Sequence, residues 1–90
     1  MLKITLGKGF QLTFPNGWTA SVQFGWGNYC DNQHIPNDFV TTPRTTECVN
    51  AEVAAWDADG EWYSINGSDV KGYMDVTQVM EFLNMIAAKH

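Results

Sequence analysis

Basic residues are scarce in this chain: five lysines and arginines stand against ten aspartates and glutamates, a net charge of -5 over 90 residues. Nucleic-acid phosphates and anionic membranes attract proteins through lysine and arginine clusters, so neither direct nucleic-acid binding nor membrane binding is expected. A basic or neutral partner fits better. Long apolar runs are also missing, since no window approaches the roughly 20 apolar residues of a bilayer-crossing helix. The opening "MLKITLGKGF" offers neither an apolar stretch of about 7–15 residues nor a small-residue cleavage site, so no signal peptide is expected and a cytoplasmic location is the default. Cysteine is limited to Cys30 and Cys48. Two thiols without an export signal are expected to stay reduced rather than to form a disulfide framework.

What is present suffices for one folded domain over residues 1–90. A chain this short buries only roughly two thirds of its unfolded surface, which leaves no apolar area for a second core. Apolar residues make up 44% and aromatics 13%, while the charged fraction of 17% argues against disorder. From residue 9 the text "FQLTFPNGWTASVQF" alternates. Phe10, Leu12 and Phe14 are set on one face against Gln11 and Thr13, then Trp18, Ala20, Val22 and Phe24 against Thr19, Ser21 and Gln23. Pro15 presets the turn, and Asn16-Gly17 supplies residues that tolerate positive φ, so a hairpin is predicted over 9–24.

Residues 25–46 lose this periodicity. With Gly25, Gly27, Pro36 and Pro43 they read as a long irregular loop, and loops of more than about 12–15 residues in small domains are usually functional. Alternation returns in "ECVNAEVAAW", and "DADGE" turns it into "WYSI", predicting a second hairpin over 47–65. Asp57-Ala58-Asp59-Gly60 lacks the glycine and glutamate spacing of a calcium loop and is read as a turn. A helix is predicted over 76–89, with Asp75 as N-cap and Gln78 three residues on. Val76, Val79, Met80, Leu83, Ile86 and Ala87 form its apolar stripe. The expected fold class is α+β, two antiparallel β-hairpins forming a small sheet packed by one C-terminal α-helix.

Chemistry is thinly represented. Cys30 and His34, with Asp31 beside them and Cys48 further on, do not make the paired chelating spacings of a zinc site. As a nucleophile and base, Cys30 and His34 suffer from Asp31, whose charge disfavours a thiolate. "GKGF" at 7–10 lacks the length and the Lys-Ser/Thr of a phosphate loop. No catalytic residue, metal or cofactor is therefore assigned.

Binding features are stronger. Between Thr45 and Asp69 the chain carries Glu47, Glu52, Asp57, Asp59, Glu61 and Asp69 with no lysine or arginine. Trp18, Trp26, Trp56 and Trp62, with Tyr29, Tyr63 and Tyr73, exceed what one sheet-helix interface swallows. Rigid aromatics anchor interfaces, and acids around them select a basic patch. Trp26, Tyr29, Asp57, Asp59, Glu61 and Trp62 are the expected partner-binding residues. An alternative is a small-molecule or nucleotide-like ligand binder, with aromatics stacking the ligand at a homodimer seam; its weakness is that Lys3, Lys8, Arg44, Lys71 and Lys89 are scattered. An enzyme or metalloprotein built on Cys30, His34 and Cys48 ranks last.

Taken together, "GKGFQLTFPNGWTASVQFG", "NYCDN", "AEVAAWDADGEWY" and "DVKGYMDVTQVMEFL" resemble a type of short protein encoded by bacteriophages and mobile elements. The resemblance spans most of the chain but carries no catalytic residues across. It implies a non-enzymatic protein that acts in the cytoplasm of a bacterial host by blocking a host protein, including components of antiviral defence.

Overall fold

The computed structural model of the chain describes residues 1–4, 9–24, 29–30, 48–65 and 67–90. Five strands, β1 (Leu2–Ile4), β2 (Gly9–Thr13), β3 (Thr19–Gln23), β4 (Asn50–Trp56) and β5 (Lys71–Asp75), form one antiparallel sheet in chain order. Helix α1 (Val76–Ala87) follows β5 without a loop and packs on one face. The architecture is thus the α+β class that the alternation and the helical stripe predict.

The first hairpin closes as "FPNGW" demands. Phe14 donates to the Trp18 carbonyl at 2.8 Å and Gly17 donates to the Phe14 carbonyl at 2.9 Å, with Gly17 at φ 89°. Gly17 alone takes the left-handed conformation, which costs glycine nothing. That leaves the Asn16 side chain free for a different task. Its Oδ1 accepts from the Trp18 amide at 3.0 Å, while its Nδ2 donates to the carbonyls of Ile86 at 2.9 Å, Ala87 at 3.2 Å and Lys89 at 2.9 Å. The Ile86 and Ala87 carbonyls are among those left without intrahelical partners at the C-terminal end of α1, and the Lys89 carbonyl lies just beyond it. The turn of the first hairpin therefore caps α1 from about 70 residues away in sequence, a contact that propensity alone does not reveal.

The opposite end of α1 is closed locally. Asp75 is both the last residue of β5 and the N-cap, in extended conformation. Its Oδ1 accepts from the Gln78 amide at 2.8 Å, and Gln78 Oε1 accepts from the Asp75 amide at 2.9 Å, the reciprocal capping box that the sequence announces. Held at both ends, the helix buries Phe82, Leu83 and Ile86 against Ala20, Val22, Ala51, Val53 and Ala55. Each large side chain so buried contributes about 1.5–3 kcal/mol. The stripe is rotated from the one expected: Phe82 is core, whereas Val76 is 71% and Met80 52% exposed. Both line a groove between α1 and the sheet instead.

The expected hairpin over 47–65 turns where predicted, and Trp56 faces Trp62 across it, with Tyr63 donating to the Ala55 carbonyl at 2.8 Å. The chain then leaves the sheet, reverses where Ile65 and Ser68 exchange backbone hydrogen bonds of 2.6 and 3.1 Å, and returns to β4 as β5. The return limb is therefore interrupted, and most of it lies at 71–75 rather than in "WYSI". A register shift opposite Glu52 accommodates Gly72 and Tyr73, and Tyr73 adopts φ 56°. This bulge breaks the alternation by which a strand is recognised. β1 adds an edge strand held beside Thr13, which donates to the Met1 carbonyl at 2.8 Å. Among the described residues, no helix is long and apolar enough to cross a membrane.

Replacing Asn16 by alanine removes the side-chain donor shared by three carbonyls and the acceptor of the Trp18 amide together, and is expected to lower unfolding stability by about 1.5–3 kcal/mol. Asn16→Asp should cost at least as much, because a carboxylate donates nothing and faces the negative end of the helix dipole. Urea denaturation of both variants checks this; a loss below about 0.5 kcal/mol for either variant would contradict the long-range cap.

Candidate functional site

Alternation along β4 sorts its side chains onto two faces. Ala51, Val53 and Ala55 point to the helix, so Glu52, Ala54 and Trp56 point to the open face. Their register partners there are Gln23, Ser21 and Thr19. Ser21 is buried and satisfied by Gln23 Nε2 at 3.2 Å, and Ala54 is buried beside it. The small side chains at the centre of this face are shielded from solvent, and larger side chains stand at its two ends.

At one end stands the acidic turn. Asp57 Oδ1 accepts from the amides of Asp59 at 2.9 Å and Glu61 at 3.0 Å, so this carboxylate builds the loop. Gly60 completes the reversal at φ 84°. Asp59 and Glu61 are exposed, and among the described residues their carboxylates have no hydrogen-bond or ion-pair partner. Trp62 leaves this turn and sets its ring 4.9 Å from that of Trp56, tilted by 44°, while remaining 50% exposed. A rigid indole braced by a second indole is thereby placed next to two unpaired carboxylates. Four of the six expected partner-binding residues, Asp57, Asp59, Glu61 and Trp62, are brought together here.

Tyr29 sits apart from them. Its amide donates to Glu52 Oε2 at 2.8 Å, and its carbonyl accepts from the Tyr73 amide at 2.8 Å. Glu52 and Trp56 are four residues apart on one strand, about 13 Å, so Tyr29 hangs at the far end of the same face. The ring is 54% exposed. Next to it, Cys30 is buried; Cys48 is partly buried, and the two are not joined by a disulfide. Of the 25–46 stretch only Tyr29 and Cys30 are described; Trp26, Asp31 and His34 lie outside the described residues, as do the loop reading itself and any ligand set built on them. Among the described residues no three of His, Cys, Asp and Glu converge as metal ligands.

Sequence reasoning missed the reverse side of the acidic turn. Tyr63 follows Trp62 and so points to the helix face, where Trp18 meets it edge-on, centroids 6.3 Å apart at 80°, and Phe82 lies 6.5 Å away. Lys89 Nζ sits 4.5 Å from the Tyr63 ring centre and 5.2 Å from that of Trp18. Only the excess of aromatics hinted at this cluster. A separate apolar groove of about 160 Å³ lies between the start of α1 and the sheet, lined by Phe10, Phe24, Val49, Met74, Val76 and Met80. Among the described residues no lysine or arginine lines it.

No protein-family model, curated protein or solved structure matches this chain.

The close approach of Tyr29 to β5 depends on Gly72, because a Cβ there would stand 2.4 Å from Tyr29 Cβ and 2.9 Å from its carbonyl oxygen. Gly72→Ala is expected to push Tyr29 off the sheet, accelerating exchange of the Tyr29 and Tyr73 amides and costing about 1–3 kcal/mol. Unchanged protection of both amides would show that Tyr29 is placed by something else.

Proposed function

We propose that this protein is a small non-enzymatic binder that blocks a host protein by covering a basic patch with the acidic turn and Trp62. The observation that carries the reading is the exposed Trp62 ring, braced by Trp56, beside the unpaired carboxylates of Asp59 and Glu61. A braced indole loses little freedom on binding and buries a large area, which is how interface anchors act. Carboxylates at its rim steer a basic surface and fix its orientation. Tyr29, on the same open face, extends the contact surface along the sheet. The resemblance to short proteins of bacteriophages and mobile elements supplies the biological setting, a bacterial cytoplasm with an antiviral-defence component as the blocked protein. A small-ligand binder using the apolar groove is the second reading; its lining suits an apolar molecule and disfavours a phosphate-bearing one.

Asp57→Asn, Asp59→Asn and Glu61→Gln combined preserve the turn, since an amide oxygen still accepts the two backbone hydrogen bonds of Asp57. Immobilised wild-type protein is expected to retain a basic protein from a bacterial lysate. The triple variant should bind it roughly 10-fold or more weaker with a flatter salt dependence, and Trp62→Ala should weaken it similarly without unfolding the domain. A captured protein that both variants bind as well as the wild type would remove this surface from the account.

A further inference from the structure

The Trp18–Tyr63 cluster has the geometry of a cation-recognition site that is already filled. Two ring planes meet at 80°, forming perpendicular walls, and the ammonium of Lys89 lies within 4.5 and 5.2 Å of their centres. Cations within about 6 Å of an indole or phenol face are attracted by the ring quadrupole, and perpendicular aromatic walls are the arrangement by which ammonium groups are selected. Lys89 is not carried there by α1, which ends at Ala87. It is delivered by its backbone: the Lys89 carbonyl accepts from Asn16 Nδ2 at 2.9 Å and its amide donates to the Ile86 carbonyl at 3.2 Å.

The site also lies against the acidic turn. A Cβ on Gly17 would be 3.3 Å from Ala58 Cβ, so the two turns abut, and Tyr63 is two residues from Glu61. The acidic turn is thus straddled by Trp56 and Trp62 on the open face and by Trp18 and Tyr63 on the helix face. A basic protein drawn to the carboxylates meets an aromatic notch whose present occupant is a single tethered ammonium.

We propose that the Trp18–Tyr63 notch is a lysine- or arginine-recognition subsite, held in the free protein by its own Lys89, which a basic side chain of the partner displaces on binding. The inference rests on the reading of a basic partner and adds a specific residue class to it. It also gives Lys89 a role besides packing: the resident ammonium keeps the notch from binding stray cations and sets a threshold that only a partner engaging the carboxylates as well overcomes. Because the backbone of Lys89, not its side chain, is bound by Asn16, the side chain can leave without undoing the helix cap.

The test uses a peptide of alternating lysine and glycine, titrated at physiological salt into the full chain and followed by NMR at the Trp18 indole N–H and the Tyr63 ring. Lys89→Ala opens the notch, and Lys71→Ala, on β5, makes the same charge change elsewhere. Lys89→Arg keeps a resident cation, and thermal melts confirm that each variant is folded. The peptide is expected to bind Lys89→Ala roughly 3- to 10-fold tighter than Lys71→Ala, shifting both Trp18 and Tyr63 signals, with Lys89→Arg close to wild type. Equal affinity for the two alanine variants, or binding that leaves Trp18 and Tyr63 unmoved, or no binding to Lys89→Ala, overturns the proposal. The acid-to-amide triple variant separates the two readings. Weakened binding there with equal alanine variants keeps the acidic surface and removes the notch, and unchanged binding there with a tighter Lys89→Ala does the reverse.

Discussion

The side-chain amide of Asn16 is the contact on which the rest of this fold turns. The last turn of α1 contains no basic residue and its C-cap is Ala88 at φ -89°, so no glycine reversal closes the helix end, and only the Asn84 and Ile86 carbonyls are reached by the local amides of Ala88 and Lys89. Asn16 supplies the missing donor from the tip of the first hairpin and, through Oδ1, fixes the Trp18 amide in the same stroke. With the capping box at Asp75, both ends of the helix are pinned to the sheet by hydrogen bonds before its apolar face is considered. This explains why Phe82 is core and Val76 is not: the pinned ends decide which stripe of the helix meets the sheet.

The same contact organises the end of the molecule that carries the binding features. Asn16 positions Trp18 on one side and the Lys89 backbone on the other, and the neighbouring turn from Asp57 to Glu61 packs against Gly17. Two aromatic pairs therefore flank one acidic turn, Trp56 and Trp62 joined by a β-bridge and Trp18 and Tyr63 held by the Asn16 side chain and the Ala55 carbonyl. Side chains held this way lose little entropy on binding, the condition under which a small surface achieves useful affinity. The remaining acids differ in kind. Asp57 and Glu52 spend oxygens on backbone amides and serve the structure, whereas the Asp59 and Glu61 carboxylates have no hydrogen-bond or ion-pair partner among the described residues.

Local signals in the sequence were legible and long-range ones were not. "FPNGW", the alternation in β2, β3 and β4, and the Asp75–Gln78 box each involve residues within a few positions of one another, so propensity and pattern suffice. β5 was hidden because Gly72 and Tyr73 form a bulge with Tyr73 at positive φ, and because an excursion separates it from the turn that starts its pairing. β1 is a three-residue edge strand, too short to show a period. In the candidate site, Asp57, Asp59, Glu61 and Trp62 were readable since one turn carries all four. Tyr29 was placed in a loop but is tied to Glu52, and the Lys89 notch depends on residues brought from three distant parts of the chain.

The central claim is that the first hairpin turn, the helix end and the Lys89 backbone open and close as one unit. Native-state hydrogen exchange of the wild-type protein tests it most directly, because helix ends normally fray at almost no free-energy cost while sheet cores exchange only on global unfolding. The account predicts that the Trp18, Ala88 and Lys89 amides share one opening free energy, close to that of the Tyr63 amide, which donates to the Ala55 carbonyl of β4. Rapid, nearly unprotected exchange at Ala88 and Lys89 beside a protected Trp18 would contradict it, and would leave the helix end, the resident lysine and the aromatic notch uncoupled from the sheet.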